Sequence, residues 1–273
     1  MIKLIACDLD DTLLSTDKSI SERNLSAIEK ILKLDVKFVP TTGRSPNFLG
    51  DIFDKLKINS KDNYSILCNG ACIIENLEKK VIFTDPLDFK KASDIYKFCN
   101  EKDLSLQVFS PYKAYYRKPD SIEVNFAESF ENSYEIYEEE NIDFLKDTPI
   151  LKCAIVSNDL NYLMSLEKDI AQICNWDVKI SYSSDRYMEI NKTGVTKASG
   201  LKNLAKLLSI DIKDTMAIGD NYNDIEMIED ANLGVAVNNA HLLVKETADY
   251  ITISSNNEGA VGEAIEKFIL NKI

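Results

Sequence analysis

Brief apolar runs and helix-period stripes alternate along the first third of the chain. Lys3 to Ala6 is short, apolar and soon stopped by acids, the pattern of a buried strand. From Ser21 to Lys33, Leu25, Ile28, Ile31 and Leu32 recur at helical spacing, with Ser19 or Ser21 available as N-cap. Val36 to Val39 predicts a second strand, and Pro46 to Lys57 a second helix with proline near its first turn. Ser65 to Cys68 predicts a third strand, followed by an Asn69-Gly70 turn and a hairpin-like stretch from Ala71 to Phe83. Strands alternating with helices imply a parallel sheet with helices on both faces.

The pattern then changes. From about Asp85 to Tyr187 the chain is richer in Tyr, Glu and Lys. Leu87 to Asn100 predicts a helix, and Leu104 to Phe109 with Ala114 to Arg117 a strand pair across a Ser-Pro-Tyr turn. Phe130 to Glu140 reads as an acidic helix or loop, Ile150 to Val156 as a strand, Leu160 to Ile173 as a helix and Val178 to Tyr182 as a strand. This is a compact α+β unit of about 100 residues, an ordinary domain size. Afterwards the first pattern returns. Lys197 to Leu208 predicts a helix, and Thr215 to Ile218 a strand ending in Gly219-Asp220. Tyr222 to Ile228 predicts a helix, Gly234 to Val237 a strand and Glu258 to Leu270 a closing amphipathic helix. The expected plan is a discontinuous Rossmann-like α/β core, residues 1–84 and 188–273, with an α+β domain inserted at 85–187. Hinges are expected near Thr84–Pro86 and Tyr187–Asn191.

Composition narrows the chemistry. A chain of 273 residues accommodates one large or two modest domains. With 32 Lys plus Arg against 45 Asp plus Glu, the formal charge is −13, which argues against general affinity for nucleic acid or anionic membrane. Any anionic substrate must be attracted by a local site. The single histidine, His241, rules out a multi-histidine zinc site. It reads as a helix-cap or surface residue. The six cysteines form no C-x-x-C pair and sit in apolar runs, as reduced thiols of a cytosolic protein do. No run of about 18 apolar residues suggests a membrane span, and the N-terminus lacks the pattern of a signal peptide. The expected location is cytoplasmic. The sequons at Asn24 and Asn191 read as chance matches.

Four polar segments fall at or just after candidate strand ends, where open parallel sheets hold their ligands. They are Asp8-Leu9-Asp10-Asp11-Thr12, Thr42-Gly43-Arg44, Lys197 at the start of a late helix, and Gly219-Asp220-Asn221-Tyr222-Asn223-Asp224. Taken singly each has a bland reading: a D-x-D is often a turn, a helix lysine a solvated charge, and G-D-x-x-N-D an Asx-rich cap. Together, in this order, they point to one site. If Asp8, Asp10, Asp220 and Asp224 converge, their repulsion calls for a cation. With carboxylate, carbonyl and water as ligands, Mg²⁺ fits better than zinc. A cation, a lysine and a Thr-Gly donor turn would neutralise a phosphate. A positioned carboxylate such as Asp8 can attack phosphorus, and Asp10 can pass protons to and from the reacting oxygens.

On these residues the chain resembles the haloacid dehalogenase superfamily, and within it the Cof-type sugar-phosphate phosphatases with a large α+β cap. The matching text is DLDDTLL at 8–14, TTGR at 41–44, Lys197 and GDNYND at 219–224, supported by NGA at 69–71, GVAVNNA at 234–240 and NNEGAV at 256–261. The resemblance spans essentially the whole chain. It implies Asp8 as nucleophile and Mg²⁺ ligand, and Asp10 as general acid/base and ligand through its carbonyl. Asp220 becomes a further ligand, with Asp224 an additional acidic group of the metal site. Leu9, Thr42, Gly43, Lys197 and Asn223 would hold the phosphoryl oxygens. Family members usually carry Gly after the motif lysine, where this chain has Ala198. In the inserted domain, Arg117 and Lys118 are candidate contacts to substrate. The expected activity is Mg²⁺-dependent hydrolysis of a small phosphorylated metabolite by a monomer or weak homodimer. A phosphomutase of the same fold and a non-catalytic phosphate-ligand sensor are the alternatives.

Overall fold

The computed structural model describes residues 1–272. Contacts divide the chain into two compact units. The first comprises Met1–Gly43, Asp51–Ile82 and Thr196–Ile273, and the second Arg44–Gly50 and Phe83–Val195.

The first unit is an α/β layer structure around a five-stranded sheet. Its order is Tyr250–Ile251, Leu233–Ala236, Thr215–Gly219, Leu4–Cys7, Lys37–Pro40, and every pairing is parallel. The strands are short and apolar because both faces are covered; Leu4 to Cys7 are all fully buried. Leu4–Cys7 is an interior strand; the sheet's next strand in the chain, Lys37–Pro40, lies on one side of it and the one after, Thr215–Gly219, on the other. That reversal is a topological switch point, with its crevice at the carboxyl ends of Leu4–Cys7 and Thr215–Gly219. A three-stranded sheet of Tyr64–Leu67, Cys72–Glu75 and Lys80–Thr84 adjoins the core sheet, its first strand bridged to Thr41 through Ile66. Helix Glu22–Leu32 begins at Ser21, whose hydroxyl accepts the Asn24 amide. It packs against the closing helix Ala260–Phe268, where Asn24 accepts the Gly262 amide and donates to the Leu13 carbonyl. Asn24 is thus a buried structural residue.

The second unit is a six-stranded sheet in the order Val178–Ser183, Tyr187–Lys192, Lys152–Val156, Ser105–Phe109, Ala114–Arg117, Tyr134–Ile136. All its pairings are antiparallel except the last. Helices Phe89–Glu101 and Leu160–Ile173 pack on the face carrying Leu106, Val108, Cys153, Ile155, Met188 and Ile190.

Some expected elements differ. The single helix over Pro46–Lys57 is two short turns, Pro46–Phe48 and Ile52–Lys55, separated by Gly50 at φ +58°. Segment 44–50 follows the second unit because Phe48 seats among Phe109, Phe126 and Phe130. Tyr187–Asn191, expected near a hinge, instead lies in a strand of the second unit, which runs on to Val195; Tyr187–Ile190 is paired on both sides. The acidic stretch 130–140 contains strand Tyr134–Ile136, and helix Ser121–Glu128 precedes it, started by a reciprocal Asp120–Glu123 cap. The six cysteines are buried and stand outside any disulfide. Among the described residues no helix is long and apolar enough to cross a membrane.

Candidate active site

Register brings the first and last acidic segments together. Cys7 is paired with Ile218, and the Asp8 amide continues the ladder to the Ile218 carbonyl at 2.9 Å. Asp8 and Asp220 therefore leave the same edge of adjacent strands, although 212 positions separate them in sequence. Asp224 follows one helical turn later. Its Oδ2 accepts the amides of Asp220 (3.1 Å) and Asn221 (3.0 Å), folding the loop back on itself. Gly219 is required here: a Cβ would stand 2.5 Å from the Asp224 side chain.

Lys197 arrives from the opposite direction. Thr196 caps its helix, accepting the Ser199 amide while the Ser199 hydroxyl oxygen accepts the Thr196 amide. The helix start rests on the Cys68–Gly70 turn, where Gly70 has φ +102° and a Cβ would meet the Thr196 carbonyl at 2.2 Å. Ala198 sits inside the helix and is 2% exposed, so the departure from the family pattern is absorbed by packing. The Lys197 ammonium, itself buried, donates to Asp8 Oδ1 at 2.5 Å and Asp224 Oδ1 at 2.6 Å.

Carboxylate oxygens of Asp8, Asp220 and Asp224 lie within 4.8 Å of one another, and all three residues are buried. One ammonium faces three carboxylates, which leaves two negative charges uncompensated when all are ionised. Burial pushes the Asp8 carboxyl well above its usual range; Lys197 opposes this, while Asp224 and Asp220 add to it. Burial and the charge of Asp224 push Asp220 up to about 7, against the pull of a 2.5 Å hydrogen bond from the Thr12 hydroxyl. Burial alone would lower the Lys197 ammonium, but Asp224 and Asp8 hold it well above its ordinary value. The cluster thus has the character of a cation site with hard oxygen donors, matching Mg²⁺ better than a soft metal. No cysteine offers a competing thiolate: burial drives the neighbouring Cys7 thiol well above its usual value, and Asp8 and Asp224 reinforce this.

Asp10 stands apart from the three buried carboxylates. Residues Leu9–Leu13 form a wide turn closed by the Leu14 amide on the Leu9 carbonyl, with non-helical angles at Asp10 (φ −73°, ψ 127°) and Asp11 (φ 60°). The Asp10 carboxylate is 38% exposed and pairs with Lys18 at 3.0 Å. Thr42 is buried and held on both sides, its amide donating to the Ile66 carbonyl (2.9 Å) and its carbonyl accepting the Asn69 amide (3.1 Å). Because the peptide is planar and trans, that second bond also sets the direction of the Gly43 N–H. Asn223 donates to Asn69 Oδ1 over a long 3.4 Å, and its own Oδ1 is buried without a protein partner. Such an orphaned polar atom fits a site completed by a ligand.

Arg117 and Lys118 are engaged inside the second unit. Arg117 is buried and donates to Asn100 Oδ1 (2.8 and 3.2 Å) and the Leu104 carbonyl (2.6 Å), joining its strand to the end of helix Phe89–Glu101. Lys118 pairs with Asp103. His241 is the N-cap residue of helix Leu242–Thr247; its amide donates to the Asp220 carbonyl and its ring stacks on Tyr222 at 4.7 Å. Sequence reading assigned no role to Thr12, Asn69 or Lys18. Thr12 and Asn69 stand in matched motifs, whereas Lys18 was detectable only as part of a Ser-Thr-Asp-Lys-Ser turn.

A family model for haloacid dehalogenase-like hydrolases matches residues 5–265. The 5-amino-6-(5-phospho-D-ribitylamino)uracil phosphatase of Bacillus subtilis (strain 168) is 30% identical, over 98% of this chain and 96% of that protein. A haloacid dehalogenase-like hydrolase from Bacteroides thetaiotaomicron superposes with a TM-score of 0.85 at 28% identity, covering 98% of this chain and 100% of that one. Another from B. subtilis gives a TM-score of 0.84 at 25% identity, with 98% and 100% coverage.

Proposed function

The chain belongs to the haloacid dehalogenase-like hydrolase family and is a phosphatase; from that premise we propose that it hydrolyses small phosphate monoesters through an aspartyl-phosphate on Asp8, with Mg²⁺ as cofactor. The observation that carries this reading is the Asp8 carboxylate, held by Lys197 inside a buried three-carboxylate cluster at the sheet's switch point. Asp8, Asp220 and the Asp10 carbonyl would hold the metal, with Asp224 fixing both Lys197 and the Asp220 loop. When bound, the ion supplies the positive charge that the cluster lacks and that a phosphate requires.

The chain's own residues then divide the work. Lys197, the Thr42 hydroxyl, the Leu9 and Gly43 amides and Asn223 bind the phosphoryl oxygens and orient phosphorus toward Asp8. An Asp8 oxygen attacks phosphorus as the ester P–O bond breaks, and Asp10 protonates the departing oxygen. Asp10, now a carboxylate, takes a proton from water as that water attacks the aspartyl-phosphate. The Asp8–phosphorus bond breaks, orthophosphate leaves and both aspartates return to their starting states. Sugar phosphates and related polyol phosphates are the substrates we favour. The relative named above acts on a phosphoribityl compound, and a soluble metabolite is consistent with a chain we place in the cytoplasm.

The test is orthophosphate release from a panel of monoesters, with Mg²⁺ and with chelator, using Asp8→Asn as blank. Metal-dependent release that the substitution abolishes supports the reading. Transfer of phosphate to a second hydroxyl without orthophosphate would replace it with a mutase. Failure to turn over any ester would overturn it.

A further inference from the structure

We propose that Lys18 is a positioning residue for Asp10, aimed by a turn that the Asn256-Asn257 motif braces. The inference rests on the phosphatase reading above and assigns residues that reading leaves unused. After the Leu9–Leu13 turn the chain makes a tight reversal. Leu14 bridges Ile20, the Ser15 amide donates to the Ser19 carbonyl at 2.8 Å, and the Lys18 amide donates to the Ser15 carbonyl at 2.8 Å. Lys18 occupies the left-handed region at φ 65°, an uncommon conformation for a residue with a side chain.

Neighbouring side chains hold this turn in place. Asp17 Oδ1 accepts both the amide (3.0 Å) and the hydroxyl (2.6 Å) of Ser19. The C-terminal segment holds the turn from outside. Asn257 Oδ1 accepts the Thr16 amide at 2.9 Å, and its Nδ2 donates to the Thr16 hydroxyl at 3.2 Å. Asn256, 3% exposed, donates to the Leu14 carbonyl at 3.0 Å. The outcome is one directed contact, Lys18 Nζ to Asp10 Oδ1 at 3.0 Å. With side chains 54% and 38% exposed, this pair adds little to stability. A strained turn with three external bonds that ends in a weak ion pair makes sense as a device for aiming a carboxylate. A general acid must reach the departing oxygen, and a small misplacement is felt strongly in rate.

The test uses leaving groups. An alkyl oxygen needs its proton from Asp10 as it departs; nitrophenolate does not. In kcat/KM, which reports steps up to departure of the leaving group, Lys18→Met should lose about tenfold or more on ribose 5-phosphate and less than about threefold on p-nitrophenyl phosphate. Lys18→Arg should restore most of the loss. Asn257→Ala, which keeps the charge and loosens the turn, should show the same selectivity at smaller size. Equal losses on both esters, or no loss, in Lys18→Met would overturn the proposal. The wild-type enzyme and Asp8→Asn, run alongside, report separately on the phosphatase reading.

Discussion

Asp220 is the residue at which the demands of stability and of the site conflict most measurably. Its carboxyl is pushed from 3.8 to about 7, chiefly by burial and then by Asp224. The folded state therefore holds this proton more tightly than the unfolded chain does. Such a group lowers stability as pH rises from the ordinary aspartate value to about 7, after which the loss is complete. A shift of about 3 pH units at about 1.4 kcal/mol each gives a penalty of roughly 4 kcal/mol at pH 8 in metal-free protein. Asparagine in this place does not titrate and can still accept the Thr12 hydroxyl. Asp220→Asn should therefore be more stable than wild type at pH 8 in chelator, and its advantage should shrink by roughly 2 kcal/mol by about pH 5.5. At about 2–4 °C per kcal/mol, the difference in melting temperature between variant and wild type should change by roughly 4–8 °C. Scanning fluorimetry at the two pH values, with chelator and with saturating Mg²⁺, reads this directly. Saturating Mg²⁺ should narrow or reverse the ranking at pH 8, because only wild type gains binding free energy from the complete site. An advantage that is absent, or identical at the two pH values, would refute the assignment of uncompensated buried charge to Asp220.

Other consequences follow from the same geometry. Metal binding must expel the Asp220 proton below about pH 7, so calorimetric Mg²⁺ affinity should weaken by up to about tenfold per pH unit there, with proton release visible in buffers of different ionisation enthalpy; a flat affinity would contradict it. Lys197→Met strands the buried carboxylates of Asp8 and Asp224, so denaturant unfolding should show a loss of roughly 3–5 kcal/mol at pH 8. That loss should be smaller at about pH 5.5, where protonation relieves the repulsion, and orthophosphate release should disappear. Arg117→Ala removes the bonds to Asn100 and Leu104 and should cost about 1–3 kcal/mol, with kcat/KM on a small ester within about twofold. A large kinetic loss without a stability loss would return Arg117 to the substrate.

The core strands were legible because parallel strands covered on both faces read as unbroken apolar runs, as Leu4–Cys7 and Thr215–Gly219 do. The same logic hid Tyr187–Lys192. Its Glu189 and Asn191 look like solvent-facing linker residues. In the fold Glu189 is buried against Lys152 at 3.0 Å, and Asn191 donates to the Leu151 carbonyl. Partners distant in sequence supply that burial, so no local period could announce it. The false single helix at 46–57 has a similar origin: Phe48 fits the helical stripe but is captured by aromatic rings from the second unit. The meeting of Asp8, Lys197, Asp220 and Asp224 could be anticipated because each is anchored to the end of a strand or the start of a helix. Lys18 escaped because its reach to Asp10 depends on one left-handed residue and three bonds from the far end of the chain.

Strand order explains why such a site can persist although it opposes folding. Asp8 and Asp220 are forced together by a ladder of apolar residues, Leu4 to Cys7 against Thr215 to Ile218, none of which can relax without breaking the sheet. Burial first, and repulsion after it, therefore raise the proton affinities of Asp8 and Asp220. Lys197 relieves part of the repulsion, but its helix start is wedged on the Gly70 turn and its direct hydrogen bonds go to Asp8 and Asp224. Asp220 is left with a hydroxyl, which helps a carboxylate but cannot neutralise it. A site arranged this way holds protons more tightly than free carboxylates do, and the proposed function has a small divalent cation take their place. The residual charge that weakens the empty fold is the charge that would make the loaded site bind a cation and a phosphate together.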